Sequence, residues 1–220
     1  MRKVKVQQKI LIANEEFASR NRAFLAELKM PCLNVISSPG SGKTTILAKT
    51  IRELKDRVKI GVIEGDIQTD IDAQRIRTTG APAFQINTDG ACHLSAAQIS
   101  AAFHKLPVDS LDLIFIENVG NLVCPSTFDL GETAKIAVLS VPEGDDKPAK
   151  YPAIFARAKA VLINKIDLLG LTDFDIEKVK ADILKLNKDV NIFPVSAKTG
   201  DGFQEWCNWL VDFTGKLKDA

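Results

Sequence analysis

Short, mostly apolar runs alternate with longer amphipathic stretches over most of this chain. Most of the runs are apolar on both faces, which is typical of strands in a parallel sheet that helices cover on both sides. The runs lie at Leu33–Ile36, Lys59–Ile63, Ala83–Ile86, Leu113–Ile116, Ile136–Val141, Ala160–Ile163 and Ile192–Val195. This alternation predicts an α/β fold with a mostly parallel central sheet and helices on both faces.

Segments with apolar residues three or four positions apart predict the helices between these strands. They lie at Thr44–Arg57, Ile71–Thr78, Ser95–Phe103, Asp175–Lys185 and Phe203–Lys216. A further amphipathic helix, from about Gln7 to Lys29, precedes the first strand. We therefore expect an N-terminal amphipathic helix within residues 1–30 and a single domain over residues 31–220.

The segment Ser37–Thr44 joins the first predicted strand to the next helix and reads Ser-Ser-Pro-Gly-Ser-Gly-Lys-Thr. A glycine-rich turn in this setting presents backbone N–H groups and a helix N-terminus to an anion, so it predicts a phosphate-binding loop. We expect Lys43 to reach the β- and γ-phosphates and the Thr44 hydroxyl to bind Mg²⁺. The nucleotide-contacting residues predicted in this segment are Gly40, Ser41, Gly42, Lys43, Thr44 and Thr45.

Two serines distinguish this loop from common patterns. Ser37 takes the place of the usual first glycine, so on these residues alone a chance Gly-Lys-Thr in a turn remains the alternative. Metal- and division-type ATPases of the deviant-Walker group carry a lysine as the second residue of the loop, where this chain has Ser38. This position therefore argues against that group.

Two later segments predict a site for guanine. Asn164-Lys165-Ile166-Asp167 follows one predicted strand, and Ser196-Ala197-Lys198 follows the last. The Asp167 carboxylate can accept hydrogen bonds from guanine N1–H and the 2-amino group, whereas adenine offers no donor at either place. We expect the aliphatic stem of Lys165 to cover the ring face. The predicted base-contacting residues are Asn164, Lys165, Asp167, Ser196, Ala197 and Lys198.

Carboxylates at two other strand ends predict a Mg²⁺ site. Glu117 begins Glu-Asn-Val-Gly after one strand, and Asp66 ends Glu-Gly-Asp after another. We expect Glu117, Asp66 and the Thr44 hydroxyl to hold Mg²⁺, and the Gly120 N–H to meet the γ-phosphate. Lys43, Asp66 and Gly120 are the predicted catalytic residues.

The residue after Gly120 is Asn121, not the water-orienting glutamine of Ras-like enzymes. We therefore expect slow intrinsic hydrolysis, with any acceleration coming from a partner or a second subunit.

Cys92, His93 and Cys124 follow the same edge of the predicted sheet. Thiolate and imidazole suit Ni²⁺, Zn²⁺ and copper, and two thiolates with one imidazole leave a fourth position for water or a second copy. Cys124 follows the segment expected to move with the γ-phosphate, so a metal there would depend on the nucleotide state. Buried structural cysteines with a capping histidine remain the alternative. Cys32 and Cys207 have no ligand-like neighbours, so we expect core positions for both.

Composition excludes several classes of protein. The chain has 220 residues, of which 45% are hydrophobic and 26% charged, and a formal net charge of +1. These values are ordinary for a globular domain and indicate neither nucleic acid nor a charged membrane surface as a partner. No apolar stretch approaches the roughly 20 residues that span a bilayer, and no secretion signal is evident at the start. Four cysteines in a chain of this size do not make a disulfide scaffold, so we expect a cytoplasmic protein.

With these motifs in place, the chain resembles the HypB family, the GTPases that help insert nickel into nickel–iron hydrogenase. The resemblance covers nearly the whole chain, and its most specific part is the charged loop Glu143–Pro152. The other matching segments are Asn21-Arg22, Ser37–Thr44, Glu64–Asp66 with Asp72, Ala73 and Arg75, and Glu117–Pro125.

This resemblance implies a SIMIBI-type P-loop GTPase that forms a GTP-dependent homodimer. It implies a Ni²⁺ or Zn²⁺ site at the dimer interface, built from Cys92, His93 and Cys124, and delivery of nickel to a hydrogenase large-subunit precursor alongside a companion nickel metallochaperone. Many family members carry an N-terminal cysteine cluster or histidine-rich tract, whereas the first cysteine here is Cys32 and the only histidines are His93 and His104. We therefore do not expect a nickel-storage role.

Other functions remain alternatives. A urease-type nickel GTPase would place Cys-Pro-His at the switch, whereas Cys124-Pro125 is followed here by Ser126. A cobalamin-enzyme GTPase would need a longer chain. A metal-bridged scaffold that binds GTP without turnover is a third alternative, and phosphate release under multiple-turnover conditions would distinguish it. A small-molecule kinase fits least, because no acceptor-binding domain is visible.

Overall fold

The fold is a single sheet with helices on both faces. A computed structural model describes residues 2–66 and 71–219 of the chain. The strands are β1 (Cys32–Ser37), β2 (Ile60–Asp66), β3 (Ala83–Asn87), β4 (Leu113–Glu117), β5 (Ala134–Ser140), β6 (Ala158–Asn164) and β7 (Asn191–Pro194). The helices are α1 (Arg2–Glu27), α2 (Lys43–Leu54), α3 (Ile71–Arg77), α4 (Ala96–Phe103), α5 (Cys124–Thr127), α6 (Lys147–Lys150), α7 (Pro152–Arg157), α8 (Ile176–Leu186) and α9 (Phe203–Asp219).

The seven strands lie in the order β3-β2-β4-β1-β5-β6-β7, and every pairing is parallel. The predicted fold class is therefore confirmed. The chain leaves β1 towards β2 and β3 on one side of the sheet and later builds β5, β6 and β7 on the other. The direction in which strands are added therefore reverses beside β1. In open parallel sheets, ligands bind beyond the carboxyl ends of the strands at the place where the strand order reverses. We therefore expect a ligand at the carboxyl end of β1, where the phosphate loop starts.

Successive residues of the central strands face opposite helical layers. Leu33 of β1 packs with α2 and α9 in a core that includes Trp206, while its neighbour Cys32 packs with α1 and α4 around Ile99. Helices α7 and α8 cover the second face over β5 and β6, with Ile183 fully buried there. Because both faces are covered, the strands read as continuous apolar runs instead of alternating patterns.

Helix α1 packs against the domain through its C-terminal half. The buried Asn21 Nδ2 donates to Ala96 O at 2.8 Å and to Leu130 O at 2.9 Å. Phe24 stacks on Phe103 of α4, with ring centroids 5.5 Å apart. The division into residues 1–30 and 31–220 stays a prediction, but these contacts show that α1 is docked on the sheet's helical layer.

The short helices α5, α6 and α7 were not predicted from the sequence. They contain four, four and six residues, respectively, which is too few for an apolar period of 3.6 residues to become visible. Each has a proline at its first or second position, where the missing N–H costs no hydrogen bond. Among the residues that the structure describes, no helix combines the length and the apolarity that crossing a bilayer requires.

Candidate nucleotide and metal sites

The phosphate-binding loop lies between the end of β1 and the start of α2. Gly40 and Gly42 have φ angles of 76° and 97°, which L residues with a Cβ rarely adopt. Gly42 is also crowded, because a Cβ placed on it would lie 2.6 Å from Asn164 Nδ2. Lys43 is the first residue of α2, so the N-terminal N–H groups of that helix face the loop. The backbone therefore has the form that an anion-binding loop requires.

Ser37, which departs from the usual pattern, contacts the loop lysine directly. Lys43 Nζ donates to Ser37 Oγ at 2.9 Å, and Ser41 Oγ donates to the same atom at 2.5 Å. A glycine at this position could not make either bond. Lys43 is largely buried, with 8% of its surface exposed, so the Ser37 hydroxyl gives the ammonium group a partner inside the loop.

A cavity of about 560 Å³ opens above this loop. It lies at the carboxyl ends of β1, β2 and β4 and brings together the phosphate loop and both predicted Mg²⁺ carboxylates. The lining residues that the sequence analysis selected are Gly40, Gly42, Lys43, Thr44, Thr45, Asp66, Glu117, Gly120 and Lys165. Glu64, Asp72, Arg75 and Asn118 line it as well. A space of this size suits the phosphate chain of a nucleotide.

Thr44 and Glu117 are in direct contact below the cavity. Thr44 Oγ1 donates to Glu117 Oε1 at 2.7 Å, while Glu117 Oε2 is buried without a hydrogen-bond partner. Asp66 lies half-buried at the end of β2 and lines the cavity rim. Carboxylate and hydroxyl oxygens are the ligands that Mg²⁺ takes from proteins. The donor set therefore fits the predicted cation.

Glu64 is a site residue that the sequence analysis did not select. It pairs in register with Glu117 across β2 and β4, it is buried, and its Oε1 lacks a hydrogen-bond partner. Burial and the neighbouring Glu117 raise the pKa of Glu64 well above its usual value. Burial also raises the pKa of Glu117, against the opposing effects of the Lys43 ammonium and the Thr44 hydroxyl. Two signals pointed to Glu64: it is a glutamate at the end of an apolar strand, and it lies in the segment Glu64–Asp66 that carries part of the HypB resemblance.

Gly120 lies against the phosphate loop. A Cβ on Gly120 would come within 3.0 Å of Pro39 Cγ and 3.1 Å of the Pro39 backbone. Glycine therefore lets the segment after β4 approach the loop closely. This contact places the Gly120 backbone beside the phosphate loop and at the wall of the cavity.

The two predicted base-binding segments meet at the end of β6. Asn164 Nδ2 donates to Ser41 O at 2.8 Å, and Asn164 Oδ1 accepts the Ala197 N–H at 3.1 Å. Ser196 Oγ donates to Asp167 Oδ1 at 2.6 Å, which orients the carboxylate. Asn164 thus ties the phosphate loop to both base segments.

Lys165 has a left-handed backbone, with φ 64°, and its Nζ donates to Gly40 O at 2.7 Å. This conformation turns the side chain back over the loop, where its stem can cover a ring. Lys198, at the end of the second base segment, is exposed.

Cys92, His93 and Cys124 form one cluster. Their ligand atoms all lie within 4.8 Å of one another, and Cys92 Sγ is 3.4 Å from His93 Nδ1. His93 packs on Phe128 with ring centroids 3.9 Å apart. The hydrogen bond with Cys124 raises the pKa of Cys92, and burial lowers the pKa of His93. A neutral imidazole is the form that ligates a metal.

Cys32 and Cys207 are buried free thiols away from this cluster, as expected for core positions. Burial raises the pKa of Cys207 to about 11. A thiol in this state is a poor ligand or nucleophile. Among the described residues, only Cys92 and Cys124 of the four cysteines lie in a cluster of side chains that can ligate a metal.

The chain matches known proteins in sequence and in structure. Residues 31–194 match the family model of the CobW/HypB/UreG nucleotide-binding domain. The chain is 53% identical over 209 residues to the hydrogenase maturation factor HypB of Escherichia coli, covering 95% of this chain and 72% of that protein. It is 43% identical over 213 residues to the hydrogenase/urease maturation factor HypB of Helicobacter pylori, covering 95% and 87%.

The crystal structure of HypB from Helicobacter pylori in complex with nickel superposes on the chain with a TM-score of 0.88. The sequence identity is 42%, and the match covers 93% of this chain and 96% of that one. The identity, the coverage and the shared fold agree with the motifs at the strand ends. This chain therefore belongs to the CobW/HypB/UreG family of nucleotide-binding proteins, within its HypB branch.

Proposed function

We propose that this protein is a GTP-hydrolysing switch that assists nickel insertion into the precursor of the nickel–iron hydrogenase large subunit. The observation that carries the proposal is the position of the soft-metal cluster. Cys92 and His93 follow β3, and Cys124 follows the Gly120 segment, so the cluster lies beside the elements that hold the phosphate loop and Mg²⁺ carboxylates. One domain therefore carries both a nucleotide site and a site for thiolate- and imidazole-binding metals.

The nucleotide in this proposal is GTP with Mg²⁺. Asp167, oriented by Ser196, accepts hydrogen bonds from the guanine edge, and Lys43 neutralises charge on the β- and γ-phosphates. Mg²⁺ offsets charge on the phosphates when it is bound by Thr44, Glu117 and Asp66. Glu64 stands beside Glu117. Its raised pKa favours the neutral acid, and a bound divalent cation would lower that pKa again, so that its carboxylate adds to the attraction for the cation.

Hydrolysis by the isolated protein is slow in this proposal. Asn121 Oδ1 accepts the Val123 N–H at 2.8 Å, and its Nδ2 donates to Cys92 O at 3.4 Å. Both polar atoms of the side chain thus bond to the two segments that carry the metal ligands, and we expect Asn121 not to orient an attacking water. A second subunit or a partner protein would have to supply the missing stabilisation of the transition state.

The metal site is completed by a second copy of the chain in a GTP-dependent homodimer. Two thiolates and one imidazole leave a four-coordinate ion short of one ligand. The cluster also stays partly open, with Cys92 exposed and Cys124 and His93 half-buried. The site accepts Ni²⁺ or Zn²⁺, and we assign Ni²⁺ as the delivered ion because the nickel-bound relative has the same fold. The companion nickel metallochaperone and the hydrogenase precursor are the proposed partners.

A urease-type accessory function is the second candidate, because the Helicobacter pylori relative is a hydrogenase/urease maturation factor. Ser126 argues against a urease-type metal site in this chain. It is buried, and its Oγ donates to Val123 O at 2.7 Å. The position that holds a histidine in the urease-type motif is thus used for a local helix contact.

Phosphate release under multiple-turnover conditions tests the proposal. With GTP and Mg²⁺, we expect more phosphate than protein, at a rate well below about 1 s⁻¹. Addition of Ni²⁺, the companion metallochaperone and the hydrogenase precursor should yield nickel-loaded precursor only with hydrolysable GTP. Phosphate that never exceeds the protein concentration would favour a GTP-bound scaffold, and loading that ignores the nucleotide would contradict the switch.

A further inference from the structure

Leu94 joins the metal-ligand segment to the nucleotide site. It directly follows His93, and its side chain is fully buried. Its backbone N–H donates to Asn118 Oδ1 at 3.2 Å. Its side chain packs on Gly65 so closely that a Cβ on Gly65 would lie 2.8 Å from both Leu94 Cδ1 and Cγ. Leu94 thus contacts two different strand ends.

Both contacts of Leu94 adjoin the carboxylates of the nucleotide site. Gly65 lies between Glu64 and Asp66 at the end of β2, and Asn118 directly follows Glu117 at the end of β4. Any displacement of either strand end when Mg²⁺ and nucleotide bind will therefore act on Leu94. A close-packed interior transmits such a displacement because it has no empty space to absorb it.

The Asn118 side chain is held from its other side. Asn118 Nδ2 donates to Asn34 Oδ1 at 3.1 Å, and Asn34 Nδ2 donates to Glu132 Oε1 at 3.0 Å. Asn118 Oδ1 also accepts the Val119 N–H at 3.0 Å. The carboxamide is thus fixed to the centre of the sheet. A shift of the Glu117 segment must break these bonds or carry Leu94 with it.

We propose that Leu94 is the positioning residue that couples the nucleotide state to the geometry of Cys92 and His93. This inference rests on the proposed nucleotide-gated metal switch and identifies the contact through which it acts. Leu94 is not among the residues that line the nucleotide cavity, and it is not one of the three clustered ligand residues. Because Leu94 contacts the ends of β2 and β4, each position of these strand ends favours a different position of Cys92 and His93.

Truncation of Leu94 tests the coupling, and the chain supplies a matched control. Leu111 packs on Gly61 of the same strand β2, where a Cβ would lie 2.5 Å from Leu111 Cδ1, but at the end away from the nucleotide site. We would titrate Ni²⁺ into wild type, Leu94→Ala and Leu111→Ala, each loaded with GDP or with a non-hydrolysable GTP analogue, and follow thiolate-to-nickel absorption. The ratio of the two nickel affinities is the coupling factor.

In wild type and Leu111→Ala we expect the same coupling factor, within the roughly 5- to 150-fold range of ordinary allosteric couplings. In Leu94→Ala we expect a coupling factor at least about threefold smaller than in wild type, with nickel and nucleotide each still bound. The side-chain contact with Gly65 is lost, whereas the backbone N–H can still donate to Asn118 Oδ1. Leu94→Val, which removes one methylene, serves if the alanine variant does not fold, and should give an intermediate factor.

Three results would contradict the inference, and they differ in what they say about the switch. Coupling that is undiminished in Leu94→Ala, or that falls equally in Leu111→Ala, overturns the role of Leu94 and leaves the switch intact. Equal nickel affinities in the two nucleotide states of wild type would overturn the switch itself, and the inference with it.

Discussion

Thr44 Oγ1 donates a hydrogen bond to Glu117 Oε1 at 2.7 Å, across the gap between the phosphate loop and the end of β4. This bond joins two residues that we predict to be Mg²⁺ ligands. It satisfies Glu117 Oε1, whereas Glu117 Oε2 has no hydrogen-bond partner. Glu64 stands beside the pair with one oxygen that has no hydrogen-bond partner. The arrangement places two buried carboxyls where a divalent cation would offset their mutual repulsion.

We predict that Glu64→Gln stabilises the protein without nucleotide and weakens Mg²⁺ binding. The protein should be more stable because glutamine removes one of two adjacent acidic groups and supplies an N–H donor for Glu117. Mg²⁺ should bind more weakly because part of the negative charge that attracts it is lost. Thermal unfolding in EDTA and in Mg²⁺ with GDP would measure both effects. The variant should unfold at a higher temperature in EDTA and gain less than wild type from Mg²⁺. An equal gain would show that Glu64 does not act on the cation.

Lys43→Ala should lower GTP turnover by about 10²-fold or more, because the ammonium group is the charged donor inside the loop. Ser37→Gly is the matched variant, since it removes the hydroxyl that accepts from Lys43 Nζ and restores the usual glycine of the pattern. We expect it to keep nucleotide binding. Steady-state phosphate release and GDP affinity would be measured for both. Normal turnover in Lys43→Ala would exclude the phosphate-loop assignment.

Asp167→Asn should reduce the preference for GTP over ATP. A carboxylate that accepts from guanine contributes on the order of 1.5–3 kcal/mol for each charge-assisted bond, so we expect a loss of about tenfold or more. The amide N–H of asparagine can also donate a hydrogen bond to the 2-oxo oxygen of xanthine, so we expect the variant to gain affinity for XTP. Displacement of a fluorescent GDP analogue from the protein by GTP, ATP or XTP would give the three affinities and show the change. Unchanged discrimination would place base recognition elsewhere.

The sequence predicted the sheet and the order of its motifs because each motif follows a buried strand. Parallel strands end at one edge, so residues as distant as Ser41, Asn164 and Ala197 could be expected to meet there. The loop Glu143–Pro152 entered the sequence analysis only as the most specific part of the HypB resemblance, because its residue chemistry alone predicts no role. In the structure, Glu143 Oε2 accepts from the N–H and the hydroxyl of Ser140, both at 2.7 Å.

Other relationships depend on lateral strand order, which a single sequence does not specify. Glu64 becomes a neighbour of Glu117 only because β2 lies beside β4. Nothing in the sequence singles out Leu94, because its proposed role depends on contacts with Gly65 and Asn118 at the ends of two different strands. From the sequence, Ser37 was only a departure from the usual first glycine of the phosphate loop. Its hydrogen bond with Lys43 depends on the folded loop, so the sequence could not predict it.

Asp129 should contribute a pH-dependent attachment of α1. Burial alone would raise its pKa, but the Gly131 N–H and the Arg22 guanidinium lower the pKa below its usual value. Arg22 Nη2 is 2.5 Å from Asp129 Oδ2. For an acid with a lowered pKa in the folded state, the stabilisation is present above the unfolded pKa of about 3.9 and is lost as the pH falls through the folded value.

Urea unfolding of wild type and Asp129→Asn between about pH 2.5 and pH 6 would measure this contribution. The difference in free energy of unfolding between the two proteins should shrink as the pH falls, because protonation makes Asp129 resemble the variant. Carboxyls that do not interact with Asp129 titrate equally in both proteins and cancel. A difference that does not vary with pH would mean that the Asp129 charge adds nothing to stability.

Cys124→Ala should abolish high-affinity Ni²⁺ binding, and Cys207→Ala should leave it unchanged. Cys124 supplies one of three clustered ligand atoms, whereas Cys207 is a buried thiol whose pKa is raised to about 11. Thiolate-to-nickel absorption during titration would measure affinity, and the pH drop in weak buffer would count released protons. Wild type should release protons from its thiols on binding, and more of them at lower pH. Equal nickel affinity in the two variants would remove the cluster as the metal site.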